Sequence, residues 1–116
     1  SKKDFIAAKK RDVVDGIDFG QVGDVVSVDA LEIQKLFKEH DMIIMPSLVL
    51  DKNTADVLNV NADTIATELA VNLSASKLIF ISDVPYIKDL NGERISSVDE
   101  NVAKKLFDEK IVISCI

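Results

Sequence analysis

One cysteine and one histidine stand in 116 residues. Cys115 has no second thiol to meet, so no internal disulfide is expected and a reducing, cytoplasmic setting fits best. A nucleophilic cysteine needs a base beside it. His40 follows Ile33, Leu36 and Phe37 at helical spacing and reads as a helix end instead. A lone histidine without Cys or His neighbours is a poor metal ligand, so no metal-binding residues are expected. Long apolar runs are also missing. None approaches the roughly 20 residues that span a bilayer, and the opening Ser1-Lys-Lys-Asp-Phe-Ile has no signal-peptide apolar core. No membrane partner is expected. Cations are outnumbered, 14 Lys and Arg against 20 Asp and Glu, for a net charge of −6. That balance argues against a nucleic-acid partner, which calls for a basic face. It leaves nucleotides open, because a few local N–H groups or lysines hold a phosphate.

What remains is an ordinary globular composition, 47% apolar and 29% charged. Its length suits a single domain, residues 1–116, with a modest core. Residues 5–8 read as a short strand. Lys9-Lys-Arg-Asp-Val-Val-Asp-Gly16 is a polar connection whose basic triplet reads as a solvated face. Gly20 and Gly23 bracket a loop where positive φ is cheap, and residues 25–28 form a short strand. Asp29 or Ser27 caps a helix to about Glu39, with Ile33, Leu36 and Phe37 inward. Residues 42–50 are an apolar run that reads as a strand buried on both faces, ending or bulging at Pro46. Residues 51–54 turn, and 56–60 return as a strand.

The stretch Asn59-Val-Asn-Ala-Asp-Thr-Ile-Ala-Thr-Glu-Leu-Ala70 organises the rest. Two amides and a carboxylate precede an apolar stripe of Ile65, Ala66, Leu69, Ala70 and Leu73. That spacing predicts a helix from about Ala62 to Ser74 with one face buried. Its N-terminus carries free N–H groups and a positive dipole end, suited to an anion. The plainest account of Asn59, Asn61 and Asp63 is turn and cap residues. Residues 77–82 read as a second buried strand. Strand, helix, strand is the unit of a parallel sheet, and ligands sit beyond the carboxyl ends of such strands. Asp83 and the segment 59–63 then fall at one edge. Asn91-Gly92 predicts a type I′ hairpin. Ser97 with Glu100 predicts a capping box opening a helix to about Glu109, with Val102, Ala103, Leu106 and Phe107 inward. The fold class expected is α/β: a mainly parallel sheet with flanking helices and β-hairpin insertions.

Three segments together carry a resemblance: Asn59-Val-Asn-Ala-Asp63, Lys77-Leu-Ile-Phe-Ile-Ser-Asp-Val-Pro85 and Ile87-Lys-Asp-Leu-Asn-Gly92. With Gly20-Gln-Val-Gly-Asp-Val-Val-Ser-Val28, they resemble the N-acetyl-L-glutamate kinases of the amino-acid kinase superfamily. The likeness runs from about Phe5 to Ile113 and covers the middle-to-late part of that family's length. It implies a partial amino-acid kinase fold, the nucleotide-side portion. It also implies transfer of the ATP γ-phosphoryl group to the side-chain carboxylate of N-acetyl-L-glutamate, in arginine biosynthesis. The implied cofactor is ATP with Mg2+ held mainly by the nucleotide.

By the same resemblance Asn59 binds N-acetyl-L-glutamate, and Asp63 holds the catalytic lysines as an organiser. Asp83, Val84, Pro85, Tyr86, Ile87 and Lys88 form the nucleotide loop, and Ile111, Val112 and Ile113 make a second nucleotide contact. Both family lysines that neutralise the transferring phosphoryl lie outside these residues, so the 116-residue chain alone is expected to be inactive or nearly so. Tyr86 stands where the family usually has glycine. A related aspartate or carbamate kinase and a non-catalytic nucleotide-binding or interaction module are the alternatives. Uncovered sheet edges predict a homo-oligomer or self-association.

Overall fold

The computed structural model describes residues 5–81, 83, 86–89 and 91–108. The chain divides into two compact units, Ser1–Ile79 and Phe80–Ile116.

The first unit is built on β1 (Ile6–Lys10), β2 (Val22–Val28), α1 (Ala30–Glu39), β3 (Leu48–Leu50), β4 (Val57–Val60) and α2 (Ala62–Asn72). Its sheet has the order β1-β2-β4-β3. β1 and β2 are antiparallel, β2 and β4 parallel, β4 and β3 antiparallel. The sheet is therefore mixed rather than mainly parallel. The reason is local: β3 and β4 are joined by a short turn, and a short connection permits only antiparallel pairing. The sheet curls, so that its two outer strands meet at Ala8 and Asp51. The Lys52 N–H donates to the Ala8 carbonyl at 3.0 Å there.

Alternation along the strands fills the curl. Ile6, Ala8, Val49, Leu58 and Val60 point inward and Ile65 of α2 closes over them. Gly23 is buried within β2 for a different reason than loop freedom. A Cβ there would lie 2.8 Å from Leu58 Cδ1 and 2.9 Å from Leu58 Cβ. Positive φ occurs at Gly20 and Gly16 instead. Asp15-Gly16, both with positive φ, form the two-residue turn between Val14 and Ile17, the type I′ geometry that Asp-Gly favours.

Asp29 caps α1, its Oδ1 accepting from the Glu32 N–H at 3.1 Å. Ile33 is buried and Leu36 half-buried, but Phe37 is 49% exposed. Phe37 borders an open apolar hollow rather than a packed neighbour. The run 42–50 is a strand only at Leu48–Leu50. Pro46 lacks a donor, and residues 41–46 make no backbone hydrogen bond to another described residue. Met42 and Ile44 are 76% and 86% exposed. Residues 77–81 also form no strand among the described residues, and Ile79 is exposed. In both runs the apolar residues alternate or cluster as a strand would, but among the described residues only Leu48–Leu50 has a ladder partner.

The second unit holds β5 (Ile87–Lys88), β6 (Arg94–Ile95) and α3 (Glu100–Asp108). The hairpin expected around Asn91-Gly92 forms, with Ile87 opposite Ile95 and Lys88 opposite Arg94. Its turn is not type I′, because Gly92 has positive φ and Asn91 does not. Asp89 Oδ1 accepts from the Asn91 and Glu93 N–H groups, and the Gly92 N–H donates to the Asp89 carbonyl. That bonding selects a three-residue loop with a bulge glycine. α3 is capped by Asp99, whose Oδ1 accepts from the Val102 N–H at 2.8 Å. A carboxylate one residue before the helix displaces the Ser97 capping box. Ala103 and Leu106 are half-buried, while Val102 is 40% exposed. The Phe107 side chain and Glu109 lie outside the described residues.

Candidate functional site

β4 and α2 meet within five residues, and each polar residue of that junction has a distinct place. Asn59 is fixed by its backbone between two strands, opposite Val22 on one side and Leu48 on the other. Its N–H donates to the Gln21 carbonyl at 2.7 Å. Leu58 and Val60 are buried, so period-2 alternation turns Asn59 to the exposed side. Asn61 is the helix cap: its Oδ1 accepts from the Thr64 N–H at 3.0 Å and the Thr64 hydroxyl at 3.3 Å. Asp63 follows in the first turn of α2, exposed. Its main-chain carbonyl accepts from the Thr67 hydroxyl at 2.8 Å.

The cap role therefore falls to Asn61 alone. The Asn59 amide and the Asp63 carboxylate take no side-chain partner among the described residues. Asn59 lies on the exposed face of β4 and Asp63 in the first turn of α2. An amide offers both a donor and an acceptor. A carboxylate at that position can hold an ammonium group through a charge-assisted hydrogen bond.

Beside the junction lies an apolar hollow of about 260 Å³, lined by Ile33, Met45, Ala62, Ile65 and Leu69 among others. Among the described residues, no ionisable side chain lines it. The basic triplet Lys9-Lys10-Arg11 pairs with carboxylates outside the junction. Lys9 pairs with Asp12, Lys10 with Asp18, and the Arg11 guanidinium with Asp24 at 2.7 Å. The Asp24 carboxylate holds the Arg11 pKa above its ordinary value.

In the second unit Asp83 is exposed, and Tyr86, Ile87 and Lys88 run into β5. Lys88 Nζ lies 5.6 Å from the centre of the Tyr86 ring, and Arg94 Cζ lies 5.9 Å from it. Val84, Pro85, Ile111, Val112 and Ile113 lie outside the described residues. Asp63 thus belongs to the first unit and Asp83 to the second.

Sequence reasoning missed two residues. Arg94 enters through hairpin register, a signal available from pairing across Asn91-Gly92. Asp51 is a buried carboxylate, 7% exposed. It accepts from the Asn53, Lys10 and Thr54 N–H groups at 2.7, 2.9 and 3.1 Å. Those hydrogen bonds, with the nearby Lys52 charge, hold its pKa below the ordinary carboxylate value against the effect of desolvation. Its role is to tie β1 to the β3–β4 turn. The signal was Asp ahead of Asn53-Thr54, an Asx turn.

The amino acid kinase family matches residues 3–113. The acetylglutamate kinase of Hydrogenobaculum sp. (strain Y04AAS1) is 38% identical over 95 residues, covering 82% of this chain and 33% of that protein. The acetylglutamate kinase of Pseudothermotoga lettingae is 37% identical over 112 residues, covering 96% of this chain and 39% of that protein. The chain therefore spans well under half the length of these curated relatives. The crystal structure of smu.665 from Streptococcus mutans UA159 aligns with a TM-score of 0.75 at 30% identity, covering 96% of this chain and 43% of that one. Among the described residues, no helix is long and apolar enough to cross a membrane.

Proposed function

Because this chain belongs to the amino acid kinase family, we propose that it is the nucleotide-side portion of an acetylglutamate kinase acting in arginine biosynthesis. The reaction moves the γ-phosphoryl group of ATP onto the side-chain carboxylate of N-acetyl-L-glutamate. The observation that carries this reading is the division of labour at residues 59–63. The cap is Asn61, which leaves the Asn59 amide and the Asp63 carboxylate exposed on either side of it in the sequence. Capping needs one of the three residues, and a substrate site needs the other two.

In this chemistry a carboxylate oxygen of the acceptor bonds to the γ-phosphorus as the bond to the β–γ bridging oxygen breaks. An acyl phosphate forms and ADP leaves. The nucleophile is already an anion, so no general base is required, and positioning with charge neutralisation supplies the catalysis. Asn59 would bind the acetamide or carboxylate of the substrate. Asp63 would orient the phosphate-neutralising lysines, which the resemblance assigns to segments outside these residues. Among the described residues, no group of three or more His, Cys, Asp or Glu is placed to hold a metal ion. Mg2+, which the resemblance implies is held mainly by the nucleotide, would shield the charge of its phosphates.

Calorimetric titration of the 116-residue chain with ATP and ADP tests the nucleotide half of this proposal. Saturable binding is expected, and absence of binding by either would favour a non-catalytic interaction module. A coupled ADP-release assay with N-acetyl-L-glutamate tests the other half. Turnover near background is expected, because losing one electrostatic donor already costs roughly 3–4 kcal/mol. Ordinary turnover by this chain alone would overturn that expectation.

A further inference from the structure

The β5–β6 hairpin sets two cations against each other. Lys88 and Arg94 are directly opposite in register. Like charges so placed weaken a ladder unless something offsets them. Among the described residues no carboxylate forms an ion pair with either one. Asp89, their neighbour at the turn, directs its Oδ1 to the Asn91 and Glu93 N–H groups. Both cations instead lie over one ring, Tyr86, at 5.6 and 5.9 Å. That ring is 37% exposed. A cation over an aromatic face is attracted by the ring quadrupole, so Tyr86 holds both charged groups on its side of the hairpin. The result is a lysine and an arginine beside one exposed ring, with no ion pair to either among the described residues.

We propose that Tyr86, Lys88 and Arg94 form a polyphosphate-holding fork for the nucleotide, with Arg94 as a contact beyond the loop 83–88. This rests on the nucleotide-binding reading given above. The ligand chemistry is a chain of phosphates, which relieves the repulsion between the cations and accepts the two-pronged hydrogen bonds of a guanidinium. Tyr86 is the positioning residue, since it touches the cations rather than the phosphates. A glycine at position 86 would leave both cations free to turn into solvent, so the fork belongs to this chain's own sequence.

The chain carries one tyrosine and no tryptophan. Tyrosine emission therefore reports on the fork alone. The intact 116-residue chain is titrated with ATP, inorganic tripolyphosphate and adenosine, following emission and heat together. ATP and tripolyphosphate are expected to change the emission saturably, and adenosine to leave it unchanged. Arg94→Gln and Lys88→Gln should each weaken ATP binding about tenfold, the loss of one charge-assisted contact at an exposed site. Both sit on a surface hairpin, and an unchanged far-UV spectrum verifies that the fold is kept. Tyr86→Ala should weaken binding with both cations still present. If ATP binds by heat while emission stays flat and both glutamine variants bind as tightly as the parent, the fork is refuted and the nucleotide reading stands. If ATP releases no heat and changes no emission, both fall. Binding of tripolyphosphate without ATP would assign the fork to a free polyphosphate and overturn the nucleotide assignment.

Discussion

Gly23→Ala is the sharpest test of how β2 positions the junction. Gly23 pairs with Val60 in the parallel ladder, one residue from the Val22–Asn59 pair. An alanine Cβ there would meet Leu58 Cδ1 at 2.8 Å, Leu58 Cβ at 2.9 Å and the Lys9 carbonyl at 3.3 Å. The Cδ1 contact could be relieved by a rotamer change. The Cβ contact could not, because Cβ is carried rigidly by the β4 backbone and Leu58 is fully buried. Relief requires β2 and β4 to move apart, which strains ladder bonds and opens the core. Overpacking of this kind costs typically about 1–3 kcal/mol. With a urea m-value of about 1–3 kcal/mol/M, a 2 kcal/mol loss lowers the unfolding midpoint by roughly 0.7–2 M. Far-UV circular dichroism during urea unfolding measures it.

Gly20 is the control, since its φ is +68° and nothing lies within 4 Å of a Cβ built there. Only the left-handed backbone is at stake at that position, and asparagine tolerates it. Gly20→Asn should therefore stay within about 0.5 kcal/mol of the parent, the usual range for a surface change. Gly23→Asn should be worse than Gly23→Ala. A Gly23→Ala midpoint equal to the parent's, or the two asparagine variants behaving alike, would refute the close-approach argument.

Two further outcomes follow from named residues. The Asp51 carboxylate has its pKa lowered chiefly by the Asn53 and Lys10 N–H groups. A depressed folded value contributes stability that is complete above the unfolded value near 3.9 and fades as pH falls through the folded one. Thermal midpoints of the parent and Asp51→Asn should thus differ most above about pH 5 and converge below about pH 4; a gap that widens on acidification reverses the sign and sinks the idea. Residues 41–46 make no backbone hydrogen bond to another described residue, and Ile44 is 86% exposed. An uncovered apolar edge invites pairing with another chain. Sedimentation velocity should show concentration-dependent association that Ile44→Lys reduces, and a clean monomer for the parent at high concentration would contradict it.

The starts of α1 and α2 were legible because capping is local, whereas α3 is capped by Asp99 rather than Ser97. Asp29 and its Glu32 N–H partner lie three residues apart, within reach of a reader of the sequence. Strands in apolar runs were less legible. The runs 42–50 and 77–82 report that side chains prefer burial, but a strand also needs a neighbour with free N–H and C=O groups. β3 finds one in β4, and residues 41–46 find none among the described residues. Turn chemistry failed in an instructive way. Asn91-Gly92 carries the stronger dipeptide signal, yet the paired positive φ values occur at Asp15-Gly16. Asp89 decided the matter by accepting two N–H groups across the loop, which no dipeptide rule contains.

The junction at 59–63 was legible as a motif and illegible as geometry, and the reason lies in two overlapping periods. Strand alternation governs up to Val60, sending Leu58 and Val60 inward and Asn59 outward. Helix geometry takes over at Ala62, and the next inward residue is Ile65. Asn61 sits between the two regimes and closes the first turn. In the letters, Asn59, Asn61 and Asp63 look equivalent, three polar residues at spacing two. Only the point where the strand stops distinguishes them, since a strand one residue longer would turn position 61 to the side opposite Val60 and move the cap onward. The two N–H groups that hold β4 in place, Asn59 to Gln21 and Val60 to Ser47, fix that stopping point from strands distant in sequence. The separation of the cap from the exposed Asn59 and Asp63 is consequently a property of the sheet, imposed on a helix that would form in either case.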